Sequence, residues 1–268
     1  MAMLEGMRLT VLGSGSCELR QERSSPAYLL QAGPSKFVLD LGQGAWRRLL
    51  DQGMEPASLQ GVLISHHHLD HISDLLPLLF ALKYDPVMCE HARMTLLCHS
   101  GLSRVLEGLE GVFGDWVRPP EKNLRYLWLE AGNKIELAGV KIRVAAASHM
   151  ETSLAYRLEH EGLSMVYLGD SEYAPDLVDF ALGAELLVAN CAAPDSNPKP
   201  GHIGPSQAGR LAAEAEVKAL LLSHLYRVVD PLKAVASAGK QFDGRVFAAE
   251  DGMSLNIMSG DGAKLHKA

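Results

Sequence analysis

The chain has 268 residues, a length that allows one large domain or two small ones. Hydrophobic residues make up 47% and charged residues 21% of the sequence, so we expect an ordinary globular protein with a sizeable buried core. The formal net charge of -7, from 25 basic and 32 acidic side chains, argues against a strongly basic nucleic-acid-binding surface. Local patches could still bind phosphate, so nucleic acid is not excluded as a substrate.

The cysteines and the apolar runs indicate the compartment. The four cysteines are scattered and form no CxxC pair, which argues against both a disulfide framework and a cysteine-zinc site. Reduced thiols fit a cytoplasmic protein. The opening residues, MAMLEGMRLTVLG, lack the charged-then-apolar pattern of a secretory signal, and no apolar run reaches the roughly 18 residues of a membrane helix. We therefore expect a cytoplasmic protein without a membrane span.

Short apolar runs separated by turn residues predict many strands, with helical segments between them. In the first half we expect strands at 9–12, 28–30, 37–39, 61–64 and 94–97, and helices at 45–50, 74–83 and 103–109. In the second half we expect strands at 124–129, 134–137, 140–145, 154–158, 165–168, 186–188, 219–222, 246–248 and 255–257, and helices at 206–216 and from Pro231.

Strands mixed with helices in both halves indicate an α+β fold. Two mixed sheets that pack together, with helices covering their outer faces, would form a four-layer αβ/βα sandwich. No linker, low-complexity segment or charge block divides the sequence. We therefore predict a single domain over residues 1–268.

A dense group of potential metal ligands follows the strand expected at 61–64. Extended geometry puts His66 and His68 on the same side of the chain, so they can bind one ion together. Asp70 and His71 lie at the next turn, where they could reach a second ion. Imidazole suits zinc and iron, and a carboxylate adds charge. The alternative is a histidine-rich surface loop, and His67, which points the other way, is expected to take no part.

This stretch resembles the metallo-β-lactamase superfamily, whose signature is His-x-His-x-Asp-His at the end of a strand. The family's remaining ligands, a histidine, an aspartate and a histidine, correspond in order to His149, Asp170 and His224, and the resemblance extends from Gly13 to Asp251. It implies a metallo-β-lactamase fold and a hydrolase with two divalent metal ions, zinc first, with manganese or iron as alternatives. The implied ligands are His66, His68 and His149 for one ion, Asp70, His71 and His224 for the other, and Asp170 between them.

Further segments resemble the ribonuclease Z branch, which cuts phosphodiesters. These are Gly13-Ser14-Gly15-Ser16, residues 39–44 and residues 200–204. The likeness implies that Asp40 orients a ligand histidine, that His202 stabilises charge or protonates the leaving oxygen beside the scissile phosphate, and that Arg23 either contacts substrate or supports the residues around the metal ions. Asp40 could instead be a turn residue and His202 a loop residue. Residues 85–93 and 111–123 are expected to form loops over the site, where Trp116 could stack on a base or simply be exposed or packed.

Departures from the branch limit what the likeness implies. The stretch between His149 and Asp170 is too short for the arm that grips the tRNA body, and Asn190 stands where the branch has a glutamate expected to support His202. Of the branch's Pro-x-Lys-x-Arg-Asn loop only Arg23 remains. We therefore expect a dinuclear phosphodiesterase acting on short RNA or DNA, or on small or cyclic phosphodiesters, with a homodimer suggested by the branch. The alternatives are a lactone, ester or thioester hydrolase and a non-catalytic metal-binding protein.

Overall fold

The computed structural model describes residues 6–259 and 262–266, and within them the strands and helices alternate along the chain. The strands are β1 (Met7–Gly13), β2 (Ala27–Ala32), β3 (Ser35–Leu39), β4 (Gly61–Leu63), β5 (Met94–His99), β6 (Leu124–Leu129), β7 (Lys134–Leu137), β8 (Val140–Ala146), β9 (Leu154–His160), β10 (Leu163–Tyr167), β11 (Leu186–Asn190), β12 (Ala219–Ser223), β13 (Arg245–Ala248), β14 (Ser254–Met258) and β15 (Gly262–Leu265). The helices are α1 (Ala45–Asp51), α2 (Leu69–Ile72), α3 (Leu75–Tyr84), α4 (Pro86–His91), α5 (Ser103–Phe113), α6 (Pro175–Ala181), α7 (Pro205–Glu214) and α8 (Pro231–Ala238).

The strands form two mixed sheets. The first has the order β15-β14-β1-β2-β3-β4-β5-β6, and the second has the order β13-β12-β11-β10-β9-β8-β7. In the first sheet β3, β4, β5 and β6 are parallel and the other pairs are antiparallel. In the second sheet β10, β11, β12 and β13 are parallel, after an antiparallel meander from β7 to β10. Each half of the chain thus builds an antiparallel part and then a parallel part, before β14 and β15 return to the first sheet.

Alternating side chains give each sheet two apolar faces. In β3, Phe37 and Leu39 face the core between the sheets, whereas Val38 faces the helices outside. In β12, Leu221 faces the same central core and its two neighbours face the other outer layer. Strands buried on both faces are expected to be continuously apolar, as these are. Helices α1, α3 and α4 cover the first sheet, and α6, α7 and α8 cover the second, which confirms the four-layer α+β sandwich.

Parallel strands carry the expected site to one edge of the fold. His66 follows β4, Asp170 follows β10 and His224 follows β12, so each lies beyond the carboxyl end of its strand. Open α/β sheets bind ligands at this edge because the loops that follow parallel strands converge there.

The two segments expected to form loops over the site lie elsewhere. Residues 86–91 form helix α4, and residues 111–123 contain the end of α5, a short 3-10 turn and two prolines. Each segment precedes a parallel strand and therefore lies at the amino ends of the strands, opposite the site. Buried Asn123 joins them by donating hydrogen bonds to the carbonyls of Met88, Cys89 and Ala92. Trp116 is exposed at this far end, so the idea that it stacks on a bound base is wrong.

The prediction of one domain from 1 to 268 includes residues 1–5, 260–261 and 267–268, which lie outside the described residues. Helices α2, α4 and α6 and strand β15 were missing from the sequence-based elements. In the described ranges, 6–259 and 262–266, every helix is too short or too polar to cross a bilayer.

Leu158→Ala tests the central core. Leu158 is fully buried in β9, so the substitution should lower the free energy of unfolding by about 2–5 kcal/mol through lost burial and an unfilled cavity. The matched control is Leu232→Ala in α8, where the side chain is 82% exposed and the effect should stay within about 0.5 kcal/mol. Urea denaturation of both variants checks this. Equal losses in the two variants would contradict the assigned core.

Candidate metal centre

The loop after β4 brings three imidazole nitrogens together. His66 Nε2 lies 3.0 Å from His68 Nδ1, and His149 Nε2, from the turn after β8, lies 3.0 Å from the same atom. The Asp170 carboxylate stands next to this group, with Oδ2 at 3.9 Å from both Nε2 atoms. These four side chains form one group whose ligand atoms could hold a metal ion.

Hydrogen bonds on the far side of two rings decide which nitrogens carry protons. His149 Nδ1 donates to the Gly201 carbonyl at 2.8 Å, so its Nε2 keeps a free lone pair. Ser65 donates its hydroxyl proton to Asp40 and therefore accepts from His66 Nδ1, at 3.0 Å, which leaves His66 Nε2 unprotonated as well. The Nε2 lone pairs of His66 and His149 both point towards His68 Nδ1, and a cation between these atoms could bind all three nitrogens. In metal-ligating histidines the tautomer is typically fixed by a hydrogen bond at the other ring nitrogen, as it is here.

A second group adjoins the first. It consists of Asp70 and His71, from helix α2, and His224, from the turn after β12. His224 Nε2 lies 3.4 Å from Asp70 Oδ2 and 3.3 Å from Asp170 Oδ2, while His71 Nε2 lies 3.4 Å from Asp170 Oδ2. The Asp170 carboxylate therefore stands between the two groups.

Buried polar atoms without partners test whether this donor set fits metal ions. Among the described residues, His71 Nε2 and Asp170 Oδ1 are buried and accept or donate no hydrogen bond. Buried polar atoms in native proteins nearly always have a partner, and both of these are good metal ligands. Six imidazoles and two carboxylates, in these two groups and in a third formed by Asp170, His202 and His224, are a donor set suited to zinc and similar divalent ions.

Asp40 connects the two sheets behind the site. Its carboxylate accepts from the Ser65 amide at 2.6 Å, from the Ser65 hydroxyl at 2.7 Å and from His71 Nδ1 at 2.7 Å. The Tyr167 hydroxyl, from the second sheet, donates to the same carboxylate. Asp40 also has a left-handed backbone, with φ 57°. A turn residue would leave these donors unpaired, so the geometry favours the orienting role over the turn alternative.

Burial and neighbouring charges set the protonation of the site. Burial lowers the pKa of His66, His68 and His149, which keeps these imidazoles neutral, as metal binding requires. Burial alone would raise the pKa of Asp170, but His224 and His71 outweigh it and hold the pKa well below its usual value. Burial opposes charge on His71 as well, yet Asp170 and Asp40 raise its pKa well above the usual value. A cation at this position therefore competes with a proton on His71.

His202 lies on the loop before α7 and reaches the same centre. Its Nε2 is 3.3 Å from Asp170 Oδ2, its Nδ1 donates to the Pro200 carbonyl at 3.0 Å, and its ring stacks on His224 with centroids 5.5 Å apart. Asn190 binds the backbone on both sides of this arrangement. It donates to the carbonyls on either side of Asp170 and accepts from the amide that follows His202, at 3.0 Å. In this chain the residue that replaces the glutamate thus holds the two loops together.

Arg23 lies outside the cluster. Its guanidinium donates to the Ser14 hydroxyl at 2.7 Å and to the Ala249 carbonyl at 2.5 Å. Asp251 accepts from the Ser14 amide and hydroxyl, both at 2.8 Å. The Ser14 carbonyl in turn accepts a hydrogen bond from the amide of Leu225. Leu225 directly follows His224, and His224 has a left-handed backbone with φ 56°. The described contacts of Arg23 therefore support the turn that carries His224, and none of them reaches the cluster.

Two further residues complete the comparison with the sequence-based site. His67 points away from the cluster, with Nδ1 3.3 Å from the Thr152 hydroxyl, and belongs to neither ligand group. Tyr167 was missed, because alternation along β10 could place it in the core but could not identify Asp40 as its partner.

The loops after β4 and β10 approach each other closely beside the cluster. A Cβ on Gly169 would lie 2.6 Å from Ser65 Cβ. His68 is exposed, so the cluster is open to solvent on that side.

Comparison with known proteins identifies the family. A family model described as the beta-lactamase superfamily domain matches residues 28–225. The chain belongs to the beta-lactamase superfamily. Ribonuclease Z of Mycobacterium bovis (strain BCG / Pasteur 1173P2) is 27% identical over 271 residues, which cover 91% of this chain and 96% of the relative. The probable metallo-hydrolase YhfI of Bacillus subtilis is 28% identical over 253 residues, which cover 92% of this chain and 98% of that protein.

Solved structures agree with this assignment. The crystal structure of YhfI matches with a TM-score of 0.82 and 25% identity, over 93% of this chain and 99% of that one. Human tRNase Z, short form, shares the fold, with a TM-score of 0.74 at 20% identity over 94% of this chain and 99% of that one. This beta-lactamase superfamily member is a metallo-hydrolase with ribonuclease Z-like relatives, and its family implies divalent metal ions at the histidine and aspartate cluster.

Asp40→Asn tests the buried carboxylate behind the cluster. An amide nitrogen cannot accept hydrogen bonds, so the substitution leaves one or more of the buried donors unpaired and frees His71 to turn. We expect metal affinity to fall by about 10–100-fold, measured by competition with a chelating dye. The control is Asp243→Asn, an exposed aspartate remote from the cluster, which should bind metal like the parent. Parental affinity in Asp40→Asn would contradict the orienting role.

Proposed function

We propose that the protein is a dinuclear-metal-dependent phosphodiesterase that acts on short nucleic acid or on small phosphodiesters. This proposal rests mainly on the position of His202. Its Nε2 lies 3.3 Å from the Asp170 carboxylate, at the point where both ligand groups meet. A proton donor at that point, next to a seven-ligand cluster, suits the departure of an alcohol oxygen from phosphorus. The relatives named Ribonuclease Z support the same class of substrate.

The ligands divide between two metal ions in this proposal. His66, His68 and His149 would hold one ion and Asp70, His71 and His224 the other, with Asp170 beside both groups. When bound, such ions polarise phosphate oxygens and lower the pKa of water, which supplies a nucleophile near neutral pH. The imidazole-rich donor set favours zinc, and manganese or iron would also suit it. Elemental analysis of the purified protein distinguishes them.

The protein side chains position the reacting groups and move protons. Asp70 Oδ2 lies within hydrogen-bond distance of His224 Nε2, at 3.4 Å, and a carboxylate at this point of the second ligand group can accept the proton of the attacking water. His202 donates through Nδ1 to the Pro200 carbonyl, which fixes the direction of its ring. With a further proton on Nε2, the imidazolium donates to the oxygen that leaves phosphorus.

The short connection between His149 and Asp170 supports a small substrate. Strands β9 and β10 fill this stretch, joined by Glu161 and Gly162, both with positive φ as in a tight hairpin turn. A hairpin of this length offers no arm for gripping the body of a tRNA.

Three expectations from the sequence stay predictions: the homodimer, the cytoplasmic location and the single domain. Size-exclusion chromatography, cell fractionation and limited proteolysis, respectively, would check them.

Purified protein loaded with zinc or manganese should hydrolyse bis(p-nitrophenyl) phosphate and short RNA. The release of p-nitrophenol and the appearance of shortened RNA on a gel are the measurements. Full metal occupancy without turnover of any phosphodiester would overturn the proposal. Efficient opening of a lactone or hydrolysis of a thioester under those conditions would favour carbon-ester chemistry instead.

Single substitutions separate metal binding from proton transfer. His68→Ala and Asp170→Ala each remove a ligand, so bound metal and activity should be lost together. His202→Ala should retain the metal and lower kcat by about 10²–10⁴-fold, the usual contribution of a general acid. His67→Ala is the matched histidine control and should change neither quantity. Parental kcat in His202→Ala would show that the leaving-group role is wrong.

A further inference from the structure

An aromatic and a basic side chain form a rim beside His202. The Tyr226 ring centroid lies 5.4 Å from that of His224 and 6.2 Å from that of His202, so the ring stands directly against the proposed reaction centre. The Lys199 ammonium sits over the Tyr226 ring, 3.6 Å from its centroid. The Tyr226 hydroxyl lies 3.5 Å from Cys17 Sγ, a contact that holds the far end of the side chain.

Within the described residues the Lys199 ammonium has no carboxylate partner, and its charged group contacts only the Tyr226 ring. Another basic residue of the neighbouring loop, Arg20, is neutralised by Glu22 at 2.5 Å. A cation–π contact restricts where the ammonium lies but leaves its charge uncompensated. The charge of Lys199 is therefore available to an incoming anion.

Residues of the histidine cluster hold the loop that carries Lys199 in place. The Lys199 carbonyl accepts from the His202 amide at 3.2 Å, and the Gly201 amide donates to Glu172 at 2.6 Å. The Gly201 carbonyl accepts from His149 Nδ1, and a Cβ on Gly201, whose φ is 77°, would lie 2.8 Å from that nitrogen. The position of Lys199 relative to His202 is thus set by the same contacts that orient a ligand histidine.

We propose that Lys199, positioned by Tyr226, forms an anion-binding subsite beside His202 that selects phosphodiesters carrying a second phosphate next to the scissile one. The inference rests on the proposed phosphodiesterase function and narrows its substrate class. A linear nucleotide chain offers such a second phosphate, whereas a cyclic mononucleotide carries only the phosphate to be cleaved. An ammonium that meets a phosphate close to a partly buried site gains a charge-assisted contact that a neutral substrate group cannot provide.

A matched pair of ligands measures the subsite without catalysis. Thymidine 3′,5′-bisphosphate and thymidine 5′-monophosphate differ by one phosphate, and their dissociation constants for the metal-loaded protein can be compared by calorimetry. We expect the bisphosphate to bind about tenfold more tightly, which corresponds to about 1.4 kcal/mol. In Lys199→Met and in Tyr226→Leu this ratio should fall towards one, while Lys199→Arg should keep most of it. Lys134→Met, an exposed lysine of β7, is the control and should keep the parental ratio.

The p-nitrophenyl esters of the same two nucleotides give the catalytic counterpart. The ratio of their kcat/KM values should follow the binding ratio through the variants and should decrease as salt screens the second phosphate. Hydrolysis of both esters with equal kcat/KM and equal binding would overturn the subsite and leave the phosphodiesterase proposal intact. Selective binding of the bisphosphate that depends on Lys199, without hydrolysis of either ester, would support the subsite and count against the phosphodiesterase. A parental binding ratio in Lys199→Met would also overturn the subsite.

Discussion

The buried carboxylate of Asp40 is the group on which the arrangement of the histidine and aspartate cluster depends. It gathers a backbone amide, a hydroxyl and an imidazole from the first sheet and a tyrosine hydroxyl from the second. In a low-dielectric interior such a network is stable only when every member has a partner. Because Ser65 and His71 both bind Asp40, the segment after β4 is anchored at two points. These contacts, with the bond between Ser65 and His66, orient the rings of His66 and His71.

The rest of the site is assembled from loops that follow parallel strands. Asn190 holds the backbone around Asp170 to the amide after His202, and the Gly201 carbonyl fixes the tautomer of His149. Ser14, supported by Arg23 and Asp251, binds the turn that carries His224 in an unfavourable left-handed conformation. Residues without contact to the ligand atoms thus determine where those atoms lie, as the outer partners of metal sites commonly do.

Much of the fold follows from local patterns. Alternating apolar residues in β3 and β12 indicate strands buried on both faces, and the turn residues between them divide the strands correctly. The pattern could not reveal at which end of a strand a connecting segment lies. Residues 85–93 and 111–123 were therefore misassigned to the site, although both lie at the amino ends of parallel strands and are joined there by Asn123.

The sequence by itself determined the family, the layered α+β fold and the identity of the seven side chains that converge at one edge, because the spacing of His66, His68, Asp70 and His71 after a strand is so specific. Only the tertiary structure decided what surrounds them. Three contacts join residues far apart in the chain. Tyr167 donates a hydrogen bond to Asp40, Arg23 supports the turn of His224 through Ser14, and Lys199 makes a cation–π contact with Tyr226. Such contacts depend on how the two sheets pack and how loops from different strands meet. The secondary-structure propensity of a local segment specifies neither of these.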